Sequence, residues 1–576
     1  MQASHRYSLT PSTASNPLGL RGMVTSPHYL ASQAGRDILR AGGTAVDAAI
    51  AAAAVLSVVY PHMCGIGGDN FWLIYDAASQ QLRALNGSGR AARAASADLY
   101  AGRGHRAVPT RGALAAVTVP GAVSGWAAAF DHSRQHMASP LIWADLLKPA
   151  CEYAENGFAV SHSLADSLKL VSSGKANYCL NDCPEFRQLF FTSGGHAPAF
   201  ASVLRQPLLA RTLSRLATQG PEEFYHGATA QAIVTAMQRH GGLISQQDLS
   251  SHTADWAEPL RVDYRGYTAC TPPPNCQGLA TLEILNILNQ MDVASLGEGT
   301  ADYYHVMAEA TREAFLDRQH YLTDPDFAEI PTGRLLSPEH ARQQAARIRM
   351  DKSAGPLPPL PPGGDTIWLG VVDAAGNAVS LIQSIYHEFG SGIVAHDAGF
   401  VLQNRGCAFA LEPGHVNCLQ PGKRTLHTLT PAMLLKDGKA HLVYGSMGGD
   451  GQPQTIAAMT TRMVDFGMEP QDAINAPRWL LGRSWGAESN DLKLEGRIPV
   501  DVAKELERRG HEVRRLADFT EIMGHAGAIL RRPGNTAQND GTQAGSPGAA
   551  IPQAESPQAV WQGATDPRGD GQVAAL

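Results

Sequence analysis

The chain has no Cys-x-x-Cys pair, no strongly basic run and no apolar stretch long enough to cross a bilayer. Its eight cysteines (Cys64, Cys151, Cys179, Cys183, Cys270, Cys276, Cys407 and Cys418) are scattered, with no histidines near them at zinc spacing. They read as free, mostly buried thiols, and no metal or other cofactor is expected. A net charge of −7 without a basic patch argues against a nucleic-acid partner. The longest apolar run, Ala48 to Tyr60, is too short for a membrane span and reads as a buried helix. Residues 1–20 are polar, lack the apolar core of a secretory signal and read as disordered. No membrane partner and a cytoplasmic location are therefore expected. There is no internal repeat.

What is present is a soluble, globular composition over 576 residues, room for roughly three or four domains or fewer large ones. Gly22–Ser26 reads as a strand, Ser32–Ala41 as a helix stopped at Gly42-Gly43, and Thr44 as the N-cap of a second helix. Gly65-Ile-Gly-Gly-Asp69 is a glycine turn before the strand Phe71–Tyr75; it lacks the Lys-Ser/Thr of a phosphate loop and reads as close backbone packing. Residues 119–347 read as mostly helical, including helices near Leu279–Gln290 and Ala301–Arg318. From residue 366 the texture turns to short strands: Trp368–Val372, a turn at Ala374–Asn377, Ala378–Gln383 and His441–Tyr444. Helices follow near Thr455–Phe466 and Val500–Arg508. Asn535 to about Val560 is low-complexity and expected to be disordered.

One residue stands where texture changes. Thr366 follows the Pro/Gly-rich segment 355–365 and opens the apolar run Thr366-Ile-Trp-Leu-Gly-Val-Val-Asp373. On position alone this is a linker followed by an edge strand. If the Asp365–Thr366 bond is cut, however, Thr366 gains a free α-amine beside its own hydroxyl. That amine, with an unperturbed pKa of about 7.7–8.0, can serve as the base the hydroxyl needs.

In order and spacing, Ala41-Gly-Gly-Thr-Ala-Val-Asp-Ala-Ala49, Val119-Pro-Gly-Ala-Val123, Gly241-Gly-Leu-Ile244, Tyr264-Arg-Gly-Tyr267 and Pro421-Gly-Lys-Arg424 resemble the γ-glutamyltransferase family of N-terminal nucleophile hydrolases. The resemblance covers about Gly22–Pro533 and Gly563–Gly571. It implies an α+β fold, a four-layer αββα sandwich forming one intertwined domain. It also implies an inactive precursor that cuts itself at Asp365–Thr366. A large subunit, 21–365 with a flexible linker at 350–365, and a small catalytic subunit, 366–576, would stay together as a heterodimer, with a higher oligomer left open. Thr366 would be the nucleophile, Ser384 a hydroxyl hydrogen-bonded to it, and Gly448 and Gly449 the oxyanion hole.

The substrate pocket departs from the family pattern. Ala408 stands where an Asp grips the substrate amine, and Arg405 replaces a neutral amide. Tyr386 takes the place of an Asn, and His427-Thr428 that of a serine pair. Arg90 lies two positions beyond the usual carboxylate-binding arginine. Arg90, Arg405, His427 and Thr428 could bind an anion, as guanidinium suits carboxylate; each could also be structural. Cys407 neighbours Ala408 and is a candidate pocket wall. The segment Phe409–Lys423 is short for a lid, which favours hydrolysis over transfer. This variant pattern resembles a subgroup that includes oxamate amidohydrolase and cephalosporin acylases. It implies a small-molecule amide with a carboxylate and no α-amine, oxamate being favoured. A γ-glutamyl hydrolase or transferase, a glutaryl-type cephalosporin acylase, and a non-catalytic binding relative are the alternatives.

Overall fold

The computed structural model describes residues 16–173, 179–357, 364–482, 489–534 and 559–576. Two seven-stranded antiparallel sheets lie face to face. In the first the order is Gln572–Ala575, Gly22–Ser26, Asp365–Asp373, Ala378–Tyr386, Asp69–Asp76, Gln81–Gly87, Asp255–Ala257. In the second it is Leu18–Gly19, Val560–Thr565, Ala526–Arg532, Lys439–Ser446, Ala432–Lys436, Tyr267–Thr271, Leu260–Tyr264. Met23, Phe71, Leu73, Trp368, Ile382, Met433, Val443 and Ile529 fill the space between them. Trp368 is the largest wedge there. A Cβ on Gly445 or Gly527 would run into its indole, and its Nε1–H donates to Ser380 Oγ at 2.9 Å. Helices Tyr29–Arg40, Ala45–Val59 and Ala122–His136 cover the outer face of the first sheet; Gly278–Asn289 and Gly451–Val464 cover the second, with Ala301–Tyr321 packed against both of these helices. This is the αββα sandwich expected from the sequence.

Ala45–Val59 shows why the apolar run folds as it does. It is buried on every side, as a helix without a polar face must be. Its N-terminus is fixed by a capping box between Thr44 and Asp47. Asp373, at the end of the strand Asp365–Asp373, accepts from Ala45 N–H at 2.9 Å and from the Asn377 side chain at 2.9 Å. The buried carboxylate thus locks the 373–378 turn onto the helix.

Strands from before and after residue 365 pair with one another in both sheets. Gly22–Ser26 pairs with Asp365–Asp373, Asp69–Asp76 with Ala378–Tyr386, and Tyr267–Thr271 with Ala432–Lys436. A cut between Asp365 and Thr366 therefore leaves these ladders intact.

The structure corrects several sequence expectations. The stretch 119–347 is mostly helical, as read, but it also contributes the sheet strands Asp255–Ala257, Leu260–Tyr264 and Tyr267–Thr271, which the sequence reading did not place. Tyr264 and Tyr267 close a tight hairpin with Arg265 at φ 54° and Gly266 at φ 82°. Residues 18–19, expected to be disordered, add an edge strand to Val560–Thr565. Val560, placed at the end of the low-complexity stretch, already belongs to that strand. Residues 1–15, 358–363 of the linker and 535–558 lie outside the described residues. Among the described residues, seven cysteines are free thiols, with Cys64, Cys270, Cys276 and Cys407 buried. No described helix is long and apolar enough to cross a membrane.

Candidate active site

Thr366 sits inside the strand Asp365–Asp373 and is fully buried. The register explains its setting. Asp365 pairs with Tyr386 and Ile367 with Gln383, so Ser384 and Ile385 together oppose Thr366. Such a bulge re-aims side chains at the edge of a site. The glycine turn at 65–68 makes room for it: a Cβ on Gly68 would collide with the Ser384 carbonyl oxygen. Thr366 Oγ1 has no hydrogen-bond partner among the described residues. Ser384 Oγ accepts from Tyr386 N–H at 2.7 Å.

Gly448 and Gly449 form a turn leading into the helix Gly451–Val464, with φ of 118° and 52°. Both N–H groups lack an acceptor among the described residues, while the carbonyls antiparallel to them are pinned. Met447 O accepts from Ser446 Oγ at 2.7 Å, and Gly448 O from Gly451 N at 2.7 Å. In a trans peptide the N–H points opposite to the C=O. Pinning these carbonyls therefore turns the Gly448 and Gly449 N–H groups the other way, at a helix N-terminus that favours negative charge.

Tyr386 links the strand Asp365–Asp373 to Arg405. It holds a left-handed φ of 79°, uncommon for an aromatic residue. One part of its ring lies against Gly364, two residues before Thr366, where any Cβ would overlap it. The Arg405 guanidinium lies 3.7 Å from the ring centroid. Arg405 is fully buried, and its Nη1 donates to Thr428 Oγ1 at 3.0 Å. Its Nε and Nη2 have no partner among the described residues. Burial lowers its pKa, yet an arginine stays charged. Cys407 and Ala408 are buried on the same short helical turn, Arg405–Ala408.

His427 is corrected by the structure. Its buried Nε2–H donates to Asp69 Oδ2 at 3.1 Å, and Nδ1 accepts from Leu429 N at 3.4 Å. Burial, with Arg405 nearby, drops its pKa to about 4. A neutral ring with both nitrogens engaged is no cationic anion grip. Arg90 is corrected too: it pairs with Asp324 at 3.1 Å and Asp326 at 2.6 Å. It lines a cavity of about 780 Å³ with Trp256 and Pro272–Asn275, and neither Thr366 nor Arg405 lines that cavity. Its charge is already matched. Thr428 and Tyr386 both meet Arg405.

Asp69 was passed over as part of a turn. It faces Ser384 across the sheet. Its Oδ1 accepts from Gly89 N at 3.0 Å, Gly121 N at 3.1 Å and Gln403 Nε2 at 2.9 Å. A polar residue closing a glycine turn into an apolar strand was the available signal. Two clusters of metal-type ligands, His305–Glu309–His511 and Glu283–Asp317–His340, exist among the described residues, and neither includes a site residue. In the first, His305 bonds His511 at 2.8 Å, and Glu309 accepts from Ser353 Oγ and Ala354 N.

Comparison with known proteins agrees with this architecture. A family model described as Gamma-glutamyltranspeptidase matches residues 31–576. The chain is 43% identical over 559 residues to the glutathione hydrolase-like YwrD proenzyme of Bacillus subtilis (strain 168), covering 97% of this chain and 99% of that one. It is also 43% identical over 561 residues to the oxamate amidohydrolase proenzyme of Klebsiella pneumoniae, with the same coverage. Among solved structures, the cephalosporin acylase from Bacillus halodurans superposes with a TM-score of 0.86 at 36% identity, covering 100% of this chain and 99% of that one. An αββα sandwich with the Thr366 strand inside it and a match along nearly the whole length leave one assignment: the chain belongs to the γ-glutamyltranspeptidase family of N-terminal nucleophile hydrolases, enzymes that act on amides.

Proposed function

We propose that this protein is a self-processing amidohydrolase for a small amide whose acyl group carries a carboxylate, oxamate being the favoured substrate. Thr366 Oγ1 attacks the Asp365 carbonyl, the scissile C–N bond breaks, and the nitrogen leaves as the α-amine of Thr366. Water then hydrolyses the ester. In turnover that amine takes the hydroxyl proton, Oγ1 attacks the substrate carbonyl, and the Gly448 and Gly449 N–H groups receive the oxyanion. The amide nitrogen leaves protonated, as ammonia in the case of oxamate, and water releases the acid.

The observation that carries the substrate reading is Arg405. A buried guanidinium with two unsatisfied donors beside the cut is costly unless an anion arrives to pair with it. Ala408 supplies no carboxylate for a substrate amine, and an ammonium beside Arg405 would be repelled. A relative named oxamate amidohydrolase at 43% identity supports the same choice. An equally similar relative named glutathione hydrolase-like keeps γ-glutamyl donors as the second reading. The test compares kcat/KM for oxamate and for a γ-glutamyl anilide. Preference for oxamate is expected, and far better cleavage of the γ-glutamyl donor would overturn the reading.

A further inference from the structure

Behind the two halves of the site lies one buried amide. Gln277, fully buried at the start of the helix Gly278–Asn289, donates from Nε2 to Thr428 O at 2.7 Å and to Gly449 O at 2.9 Å. Its Oε1 accepts from Arg318 Nη1 at 2.6 Å, and the same Nη1 reaches Asp450 Oδ1 at 2.6 Å. Its own N–H donates to His427 O at 2.8 Å. Thr428 is the residue whose hydroxyl meets Arg405, and Gly449–Asp450 belong to the oxyanion turn.

We infer that Gln277, held by Arg318, is a positioning residue that sets the distance between the Arg405 pocket and the oxyanion turn. The side chain touches no reacting atom. An amide is needed because its NH₂ group can serve two carbonyls at once while its oxygen accepts from Arg318. Arg318 fixes which way the amide faces, since its donors reject the NH₂ end. Asp450 completes the clamp on the same turn. With the Gly449 carbonyl tied to Gln277 and the Asp450 side chain to Arg318, the turn that carries the Gly448 and Gly449 N–H groups is anchored from behind. The inference deepens the proposed reaction and rests on the Thr366 chemistry within it. It does not depend on which amide is the substrate.

Gln277→Glu is the sharpest probe. It keeps the shape and the Arg318 contact but turns acceptor oxygens toward the carbonyls of Thr428 and Gly449. Acylation of the processed enzyme by p-nitrophenyl acetate, an ester that needs no carboxylate pocket, reads the oxyanion turn. Its burst amplitude counts working sites. Per working site, Q277E is expected to acylate about 100-fold more slowly, the loss typical of one oxyanion donor. Its KM for the preferred carboxylate amide should rise as well. Arg318→Lys, which retains charge but not the planar fork, should show a smaller loss of the same two constants. Asp47→Ala, which breaks a helix cap in the other layer, should lower Tm and leave the acylation constant per working site unchanged. If Q277E, or R318K where Q277E yields no processed protein, acylates at the wild-type rate per site, the positioning role is refuted. Wild-type acylation without oxamate turnover would instead refute only the substrate reading.

Discussion

Arg405 is kept out of water with no carboxylate in hydrogen-bond reach among the described residues, held by a ring face and one hydroxyl. Such a group costs stability and gains only when a substrate anion enters. Arg405→Met should therefore separate two properties that usually fall together. The loss of a charged hydrogen bond of about 1.5–3 kcal/mol predicts roughly a 10- to 150-fold drop in kcat/KM for a carboxylate-bearing amide. The thermal midpoint of the variant should hold or rise, measured by calorimetry. A matched loss of activity and Tm would mean that Arg405 is structural. This residue could be singled out from sequence because it breaks a family pattern. Arg90 broke one too, yet it spends its charge on Asp324 and Asp326. The difference is set by ion partners more than 200 residues away in the chain, which no local reading contains.

At the scale of elements, the hairpin 365–386 does most to place the site. Its turn, both strands and the neighbouring strand after Gly65–Asp69 were legible from apolar runs and glycine signals. The bulge at Ser384–Ile385 was not, because a one-residue slip leaves no mark on composition. Gly68 is the test of that local geometry. Gly68→Ala forces a Cβ into the Ser384 carbonyl oxygen. An overpacking cost of about 1–3 kcal/mol is expected, with a lower Tm and slowed self-cleavage. Normal melting and processing would show that the bulge tolerates a shift. The strands 255–271 were missed for a different reason. They are short, and the Arg265-Gly266 turn between them has a first residue, arginine, that rarely adopts left-handed φ.

For the whole molecule, interleaved strands predict that the two pieces, residues 1–365 and 366–576, run together under native conditions and separate only in denaturant. Size-exclusion chromatography followed by a denaturing gel checks this; native dissociation would contradict it. Acid sensitivity is a second global property. Burial lowers the pKa of His28, His252 and His427 to about 4 and that of His62 to about 3, against an ordinary value of 6.5. Above pH 6.5 these groups are neutral both folded and unfolded. Between about pH 6.5 and 4 the unfolded chain takes up protons that the folded one refuses, so stability falls as pH falls. Each such histidine steepens the loss by up to about 1.4 kcal/mol per pH unit. Tm should drop clearly from pH 7.5 to 5, and less so in His427→Gln. A flat profile would show that these rings titrate as in water.

The central claim is that Thr366 becomes an N-terminal nucleophile. Intact mass measurement of the purified protein, beside Thr366→Ala, tests it most directly. The account predicts two polypeptides divided between Asp365 and Thr366 in the wild type, and one uncut, inactive chain in the variant. A wild-type protein that hydrolyses amides as a single 576-residue chain, or a Thr366→Ala protein cut at the same bond, would contradict it.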